Sequence, residues 1–194
     1  MEITTTFYPK NRTAWRAWLK KHHATRREIW LMYYNKSSGK PRIPYNDAVE
    51  EALCFGWIDS IMKKIDAASF AQRFTPRKPK SVWSEMNKER VRRLIKEKKM
   101  TAAGLAAFNG SARRSVLKTG TSVRAQKLVI PPFILKALKR DAITWKNFQK
   151  FPESYKRIRI GWIEGARHRP KIFRQRLNYF LKMTALNKRY GMVQ

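Results

Sequence analysis

One stretch constrains the fold more than any other. From Asn46 to Pro79 the chain carries a helix, a stop and two strands in direct succession. Asn46-Asp47 opens the helix, with Asp47, Glu50 and Glu51 near its positive end. Gly56 stops it, because glycine takes the left-handed backbone of a helix cap without steric cost. Trp57 to Lys64 and Phe70 to Thr75 then read as the two strands of a hairpin, turning near Asp66-Ala67-Ala68. Pro76 and Pro79 break the second strand, since neither can donate to a ladder. The fold class expected is α+β: a small antiparallel or mixed sheet with helices, followed by a helical C-terminal part.

The flanking segments fit that plan. Asn11 or Thr13 caps a helix over about residues 13–22, with Trp15, Trp18 and Leu19 on one face. Glu28 to Tyr34 is short and apolar, a strand with both faces covered, and Ser37 to Pro41 is a turn. Ser84 caps a charged helix ending near Lys99, and Thr101 caps a short Ala-rich helix to Phe108. Residues 109–130 change character, with Asn109-Gly110-Ser111 and Lys118 to Ser122, and read as a linker. Three helical patterns follow Pro131-Pro132. The expected organisation is therefore an α+β domain over 1–108, a linker over 109–130 and a basic helical region over 131–194.

Charge comes next. Lys and Arg number 44 against 13 Asp and Glu, a net charge of +31. The excess is uneven: residues 1–97 hold 21 basic and 10 acidic residues, residues 98–194 hold 23 and 3. A polyanion surface is expected in the second half; the alternative is a habitat that makes every surface basic. The hydrophobic share of 43% supports a real core. Cys54 is the one cysteine, so neither an internal disulfide nor a cysteine zinc cluster can form. Between Leu53 and Phe55 it reads as a buried, inert thiol. The sequence shows no signal-peptide pattern and no apolar run long enough to span a bilayer, so a cytoplasmic location is expected.

The residues that could carry chemistry are few. Asp59 falls in an apolar strand start and must be paired or hydrogen-bonded. Arg73 and Arg77 are its expected partners, either as a structural ion pair or within a polar pocket. That pocket would comprise Trp57, Asp59, Ser60, Arg73, Thr75, Arg77, Trp83 and Asn87. Ser84 lies just before a helix and three residues from Asn87, which suits an N-cap and not a nucleophile. None of the three histidines has neighbours at metal-ligand spacing, so no metal site and no cofactor is expected. Arg167, Lys171 and Arg174 fall at i, i+4 and i+7, with Lys156, Arg157 and Arg159 upstream. Such cations track phosphates without reading sequence; the alternative is an ordinary solvated helix face.

Longer words carry a resemblance. Gly56-Trp57-Ile58-Asp59-Ser60 and Phe74-Thr75-Pro76-Arg77-Lys78-Pro79 stand between Trp18-Leu19, Glu28 to Leu31, Ser38-Gly39-Lys40 and Tyr45 on one side and Asn87 to Val91 and Met100 to Gly104 on the other. With Trp162 to Arg167, they resemble the YdeI/OmpD-associated family, also described as bacteriocin-protection proteins. The resemblance implies an OmpD-associated type of C-terminal region but names no reaction. Similar proteins often carry Pro-Glu-Thr at the last helix, where this chain has Pro170-Lys171-Ile172 and is more basic.

Three function classes remain. The favoured one is a non-enzymatic basic protein binding nucleic acid or another polyanion without strong sequence specificity. The second is a small-molecule binding protein or enzyme using a pocket around Trp57, Asp59 and Arg77, its ligand unknown. The third is a protein-interaction module in bacteriocin or stress protection. The chain supplies no acid–base pair, nucleophile–base pair or metal cluster, which weighs against an enzyme.

Overall fold

A computed structural model describes residues 2–79, 81–119 and 128–191. It contains a four-stranded mixed sheet and eight α-helices among the described residues. The chain divides into two compact units: Met1–Val82 with Arg90–Thr121, and Trp83–Glu89 with Ser122–Gln194.

The first unit is built on the sheet, whose strands are β1 (Thr6–Phe7), β2 (Ile29–Tyr34), β3 (Trp57–Lys64) and β4 (Ser69–Pro76). Their spatial order is β1-β2-β4-β3, with β1 parallel to β2 and the other pairs antiparallel. The anticipated hairpin is present as β3 and β4. A bulge shifts its register between Asp59 and Met62, and β3 ends in Lys63-Lys64 as an edge strand. Strand β1 lies outside the sequence expectation, because two residues are too short to show alternation.

Helix α1 (Arg12–His22) begins where the Asn11 side chain accepts from the Ala14 N–H at 2.8 Å. It buries Trp15 and Leu19. Trp15 stacks on Trp18 at 5.3 Å and meets Phe74 edge-on at 5.5 Å. Helix α2 (Tyr45–Cys54) is buried from Ala48 to its end, and Gly56 follows at φ +76°, the left-handed stop that the sequence demands. Helix α3 (Glu85–Lys96) starts after Ser84, whose hydroxyl accepts from the Asn87 N–H at 3.3 Å. It ends with Lys98 at φ +56°, where the Lys99 N–H reaches the Leu94 carbonyl, a left-handed cap closing the last turn.

Helix α4 (Ala102–Thr119) is longer than expected. It continues through residues 109–119 of the anticipated linker; residues 120–127 lie outside the described residues. The Ala-rich start favours propagation, and each of its two glycines, Gly104 and Gly110, costs only about 1 kcal/mol. Its entry is pinned by Thr101. That hydroxyl accepts from the Gly104 N–H at 3.3 Å and donates to the Cys54 carbonyl at 2.6 Å, tying the start of α4 to the end of α2.

In the second unit, α5 (Pro132–Lys139), α6 (Ala142–Lys150), α7 (Glu153–Glu164) and α8 (Pro170–Ala185) enclose a separate core. Ile134, Leu138, Phe148, Tyr155, Ile163 and Phe180 are among its buried members. Four helices stand where three were expected. The additional one, α6, is capped by Asp141, which accepts from the Thr144 N–H at 2.7 Å. Its inward positions are Thr144 and Phe148, so a threonine fills a slot that an apolar pattern would have advertised. Helix α8 ends in a Schellman cap: Asn187 stands at φ +53°, and the Lys188 N–H bonds the Met183 carbonyl.

Candidate functional site

Two places gather the residues singled out from the sequence. The first surrounds Asp59 in the sheet unit. In the β3–β4 ladder Asp59 stands opposite Phe74, so both side chains leave the same face. Arg73 therefore projects to the other face. There its guanidinium binds Glu28, with the Nε bond at 2.7 Å. The expected Asp59–Arg73 partnership is replaced by that pair. The partner of Asp59 is Tyr45 at the start of α2, whose hydroxyl donates to Oδ2 at 2.6 Å.

Arg77, just past β4, donates to the Val82 carbonyl at 2.9 Å. Burial lowers its pKa, and the Asp59 charge opposes that effect. Arg90 is likewise lowered by burial, opposed by Tyr45, Glu50 and Asp59; its Nη2 donates to the Asn46 side chain at 2.7 Å. Burial pushes the Tyr45 and Tyr33 hydroxyls above the usual tyrosine range, and Asp59 adds to both shifts. Asp59 thus centres an electrostatic nest: Tyr45 bonds it, and Tyr33, Arg77 and Arg90 feel its charge. The Tyr33 hydroxyl is buried there without a hydrogen-bond partner.

The other expected pocket residues have separate duties. Trp57 is a core residue, its indole donating to the His23 carbonyl at 3.1 Å and its ring meeting Trp18 edge-on. The Ser60 hydroxyl is exposed and donates to the Arg73 carbonyl at 3.4 Å. Thr75 is half-buried opposite Ile58. Trp83 and Asn87 belong to the second unit, where Trp83 is buried and Asn87 sits in the cap of α3. Cys54 is a buried thiol whose pKa burial pushes up to about 11, out of the nucleophilic range.

The Tyr45–Asp59 bond gives a direct test. Tyr45→Phe and Asp59→Asn, singly and together, should show a coupling of about 1 kcal/mol in chemical denaturation. Zero coupling would mean that the bond adds nothing to stability.

The second place is the basic surface of the helical unit. The upstream cations of the expected phosphate set turn inward. Lys156 donates to the Gln149 carbonyl at 2.8 Å and lies over the Phe148 ring. Arg157 is committed to Glu89 and Glu153, each at 3.0 Å. Arg159 is buried. The cause is α7 itself, which also buries Tyr155, Ile158, Ile160 and Ile163 and so has little free face. The downstream cations stay outside. Arg167 stands in the turn before α8, in an exposed 3.5 Å contact with Glu164, and is not on one helical stripe with the others. Lys171 and Arg174 do share a face of α8, and helical spacing adds Lys182 to it; all three are exposed.

Residues 7–107, just over half of the chain, match the family model described as "Domain of unknown function (DUF8412)". Residues 127–187 match the one described as "Bacteriocin-protection, YdeI or OmpD-Associated". The chain belongs to the DUF8412 family, and its residues 127–187 form a segment similar to the YdeI/OmpD-associated family. No curated protein and no solved structure matches the chain significantly.

The two matches divide the candidates. The Asp59 nest and the Gly56-to-Ser60 word lie in the DUF8412 part, whereas the basic face of α8 lies in the YdeI/OmpD-associated segment. Local sequence does not bring Tyr33 and Arg90 near Asp59, and presents Tyr45 only as one residue of the family resemblance. The helix-start position of Tyr45, ahead of Asp47, was the available signal. Among the described residues no cluster of His, Cys, Asp and Glu could hold a metal ion, and no helix is long and apolar enough to cross a membrane.

Proposed function

We propose that the protein is a non-enzymatic binder of nucleic acid or another polyanion, acting through its YdeI/OmpD-associated segment. The observation that carries this reading is the outward face of α8. Lys171, Arg174 and Lys182 stand exposed on a helix that contains no acid. The acids among described residues 128–191 are already engaged: Asp141 with Thr144, Glu153 with Arg157 and Glu164 with Arg167. Cations without internal acids gain most from an anionic partner, because each phosphate contact releases about one condensed counterion.

Binding to duplex DNA and to single-stranded RNA, read by fluorescence anisotropy, should weaken steeply with salt and differ little between sequences. Replacing Lys171, Arg174 and Lys182 together by Glu should lower the salt slope by roughly three. Arg157→Gln should leave that slope unchanged, since Arg157 already serves Glu89 and Glu153. Binding that is absent at low salt, or indifferent to salt, would overturn the proposal.

A further inference from the structure

Arg159 sits in the middle of α7 and is 5% exposed. Three rings surround its guanidinium: Tyr190 at 4.5 Å, Tyr155 at 5.4 Å and Trp162 at 5.8 Å. Among the described residues no acid accompanies it. Glu89, Glu153 and Glu164 have the arginine partners already given, Asp141 caps α6, and Glu85 pairs with Lys88 at 2.6 Å. The Nε and Nη2 atoms of Arg159 and the Tyr190 hydroxyl are buried without a hydrogen bond of good geometry; the hydroxyl does lie near enough to the guanidinium for Arg159 to oppose the rise that burial imposes on its pKa.

These orphans are not scattered. Nε and Nη2 form one edge of the guanidinium, with two parallel N–H bonds at the spacing of the two oxygens of a carboxylate. A cation–π contact is worth about 0.5–2 kcal/mol, whereas each buried donor left unmade costs about 1–3 kcal/mol. The ring cage therefore does not compensate for an unused bidentate edge.

The cover over that edge is slight. After Asn187 turns the chain back from α8, Lys188 to Gly191 runs without regular structure. Gly191, at φ +79°, lies against the guanidinium so closely that a Cβ there would stand 3.0 Å from Arg159 Cζ. The Tyr190 N–H makes one long bond, 3.3 Å, to the Tyr155 hydroxyl. Otherwise Tyr190 rests on the rings of Tyr155, Trp162 and Tyr179. Trp162 and Tyr179 are themselves 36% and 47% exposed; the Arg176 guanidinium lies 4.4 Å over the Trp162 ring, so Tyr179 offers the more open apolar surface beside the covered donors.

We propose that the Arg159 edge and the Tyr190 hydroxyl form a receptor for a small organic carboxylate, entered by lifting the strap 188–191. The carboxylate takes Nε and Nη2 in bidentate fashion. A flat apolar body lies against Tyr179. The site is separate from the exposed cations of α8, so it stands or falls independently of polyanion binding.

Benzoate serves as the probe, with its uncharged isostere benzamide and inorganic phosphate as comparators, on the full chain at constant ionic strength. Benzoate should produce a saturable shift of the Arg159 Nε–H resonance, and benzamide should not. Arg159→Lys should weaken benzoate at least about tenfold, because a lysine cannot present the two-toothed edge. Tyr190→Phe should weaken it less, and reading Nε–H directly in the unmutated protein covers the case in which Arg159→Lys fails to fold. A non-saturable shift, equal binding by Arg159→Lys, or phosphate binding tighter than benzoate would each overturn the proposal.

Discussion

Gly104→Ala should destabilise the protein by about 3 kcal/mol, the upper range for forced overpacking. The reason lies in how closely α4 crosses the end of α2. An added Cβ would fall inside the shell of the Cys54 carbonyl oxygen, 2.6 Å from the carbonyl carbon and 2.9 Å from the Leu53 oxygen. These are backbone atoms and cannot swing aside. The same carbonyl is fixed by the Thr101 hydroxyl and N–H, so the crossing cannot open without losing both bonds. Gly161→Ala in α7 is the matched comparison. There the nearest obstacle is the Glu85 Cγ, at 2.7 Å, which a change of rotamer moves away, leaving the Glu85 Cβ at a tight 3.3 Å. Its effect should stay within about 1 kcal/mol, helped by the better helix propensity of alanine. Urea denaturation of both variants checks the pair; equal losses would mean that the α2–α4 crossing is looser than its geometry.

Glu51→Gln should be the next most damaging change, at about 2–3 kcal/mol. Glu51 is 2% exposed and holds two arginines, with Arg12 Nε and Arg16 Nη1 each at 2.6 Å from its oxygens. An amide of the same shape offers one acceptor where two charged acceptors stood and turns an NH2 towards a guanidinium. The cost lies at the low end for a broken buried pair because both arginines retain partial access to water. Asp47, which also contacts Arg12 but is one-third exposed, gives the contrast. Asp47→Asn should cost less than about 1 kcal/mol. Denaturation midpoints would decide; a Glu51 loss as small as that of Asp47 would assign the cluster no buried character.

Much of the sheet unit was legible because its signals are local. Gly56 has to be left-handed, Pro76 has to end a strand, and Asn11, Ser84 and Thr101 have the short acceptors that helix starts need. The partner of Asp59 was not legible. It depends on register, and pairing Asp59 with Phe74 sends Arg73 to the opposite face, where Glu28 waits. Nothing local specifies that register. In the helical unit, α7 illustrates the same limit. Lys156, Arg157 and Arg159 look alike in sequence, yet packing gives one a carbonyl, one two acids and one a cage of rings. Helix α6 escaped because Thr144 occupies an inward position that a hydrophobic pattern counts as polar.

The two free edges of the sheet have a consequence for crowding. A long flat edge strand is a template on which a second chain can add a strand, the first step of aggregation. Here one edge, β1, is two residues long. The other, β3, is broken by its bulge and ends in paired lysines. Among the described strands, neither edge offers a second copy more than a brief run of unpaired amides. Strand addition by a second copy is therefore disfavoured at both edges.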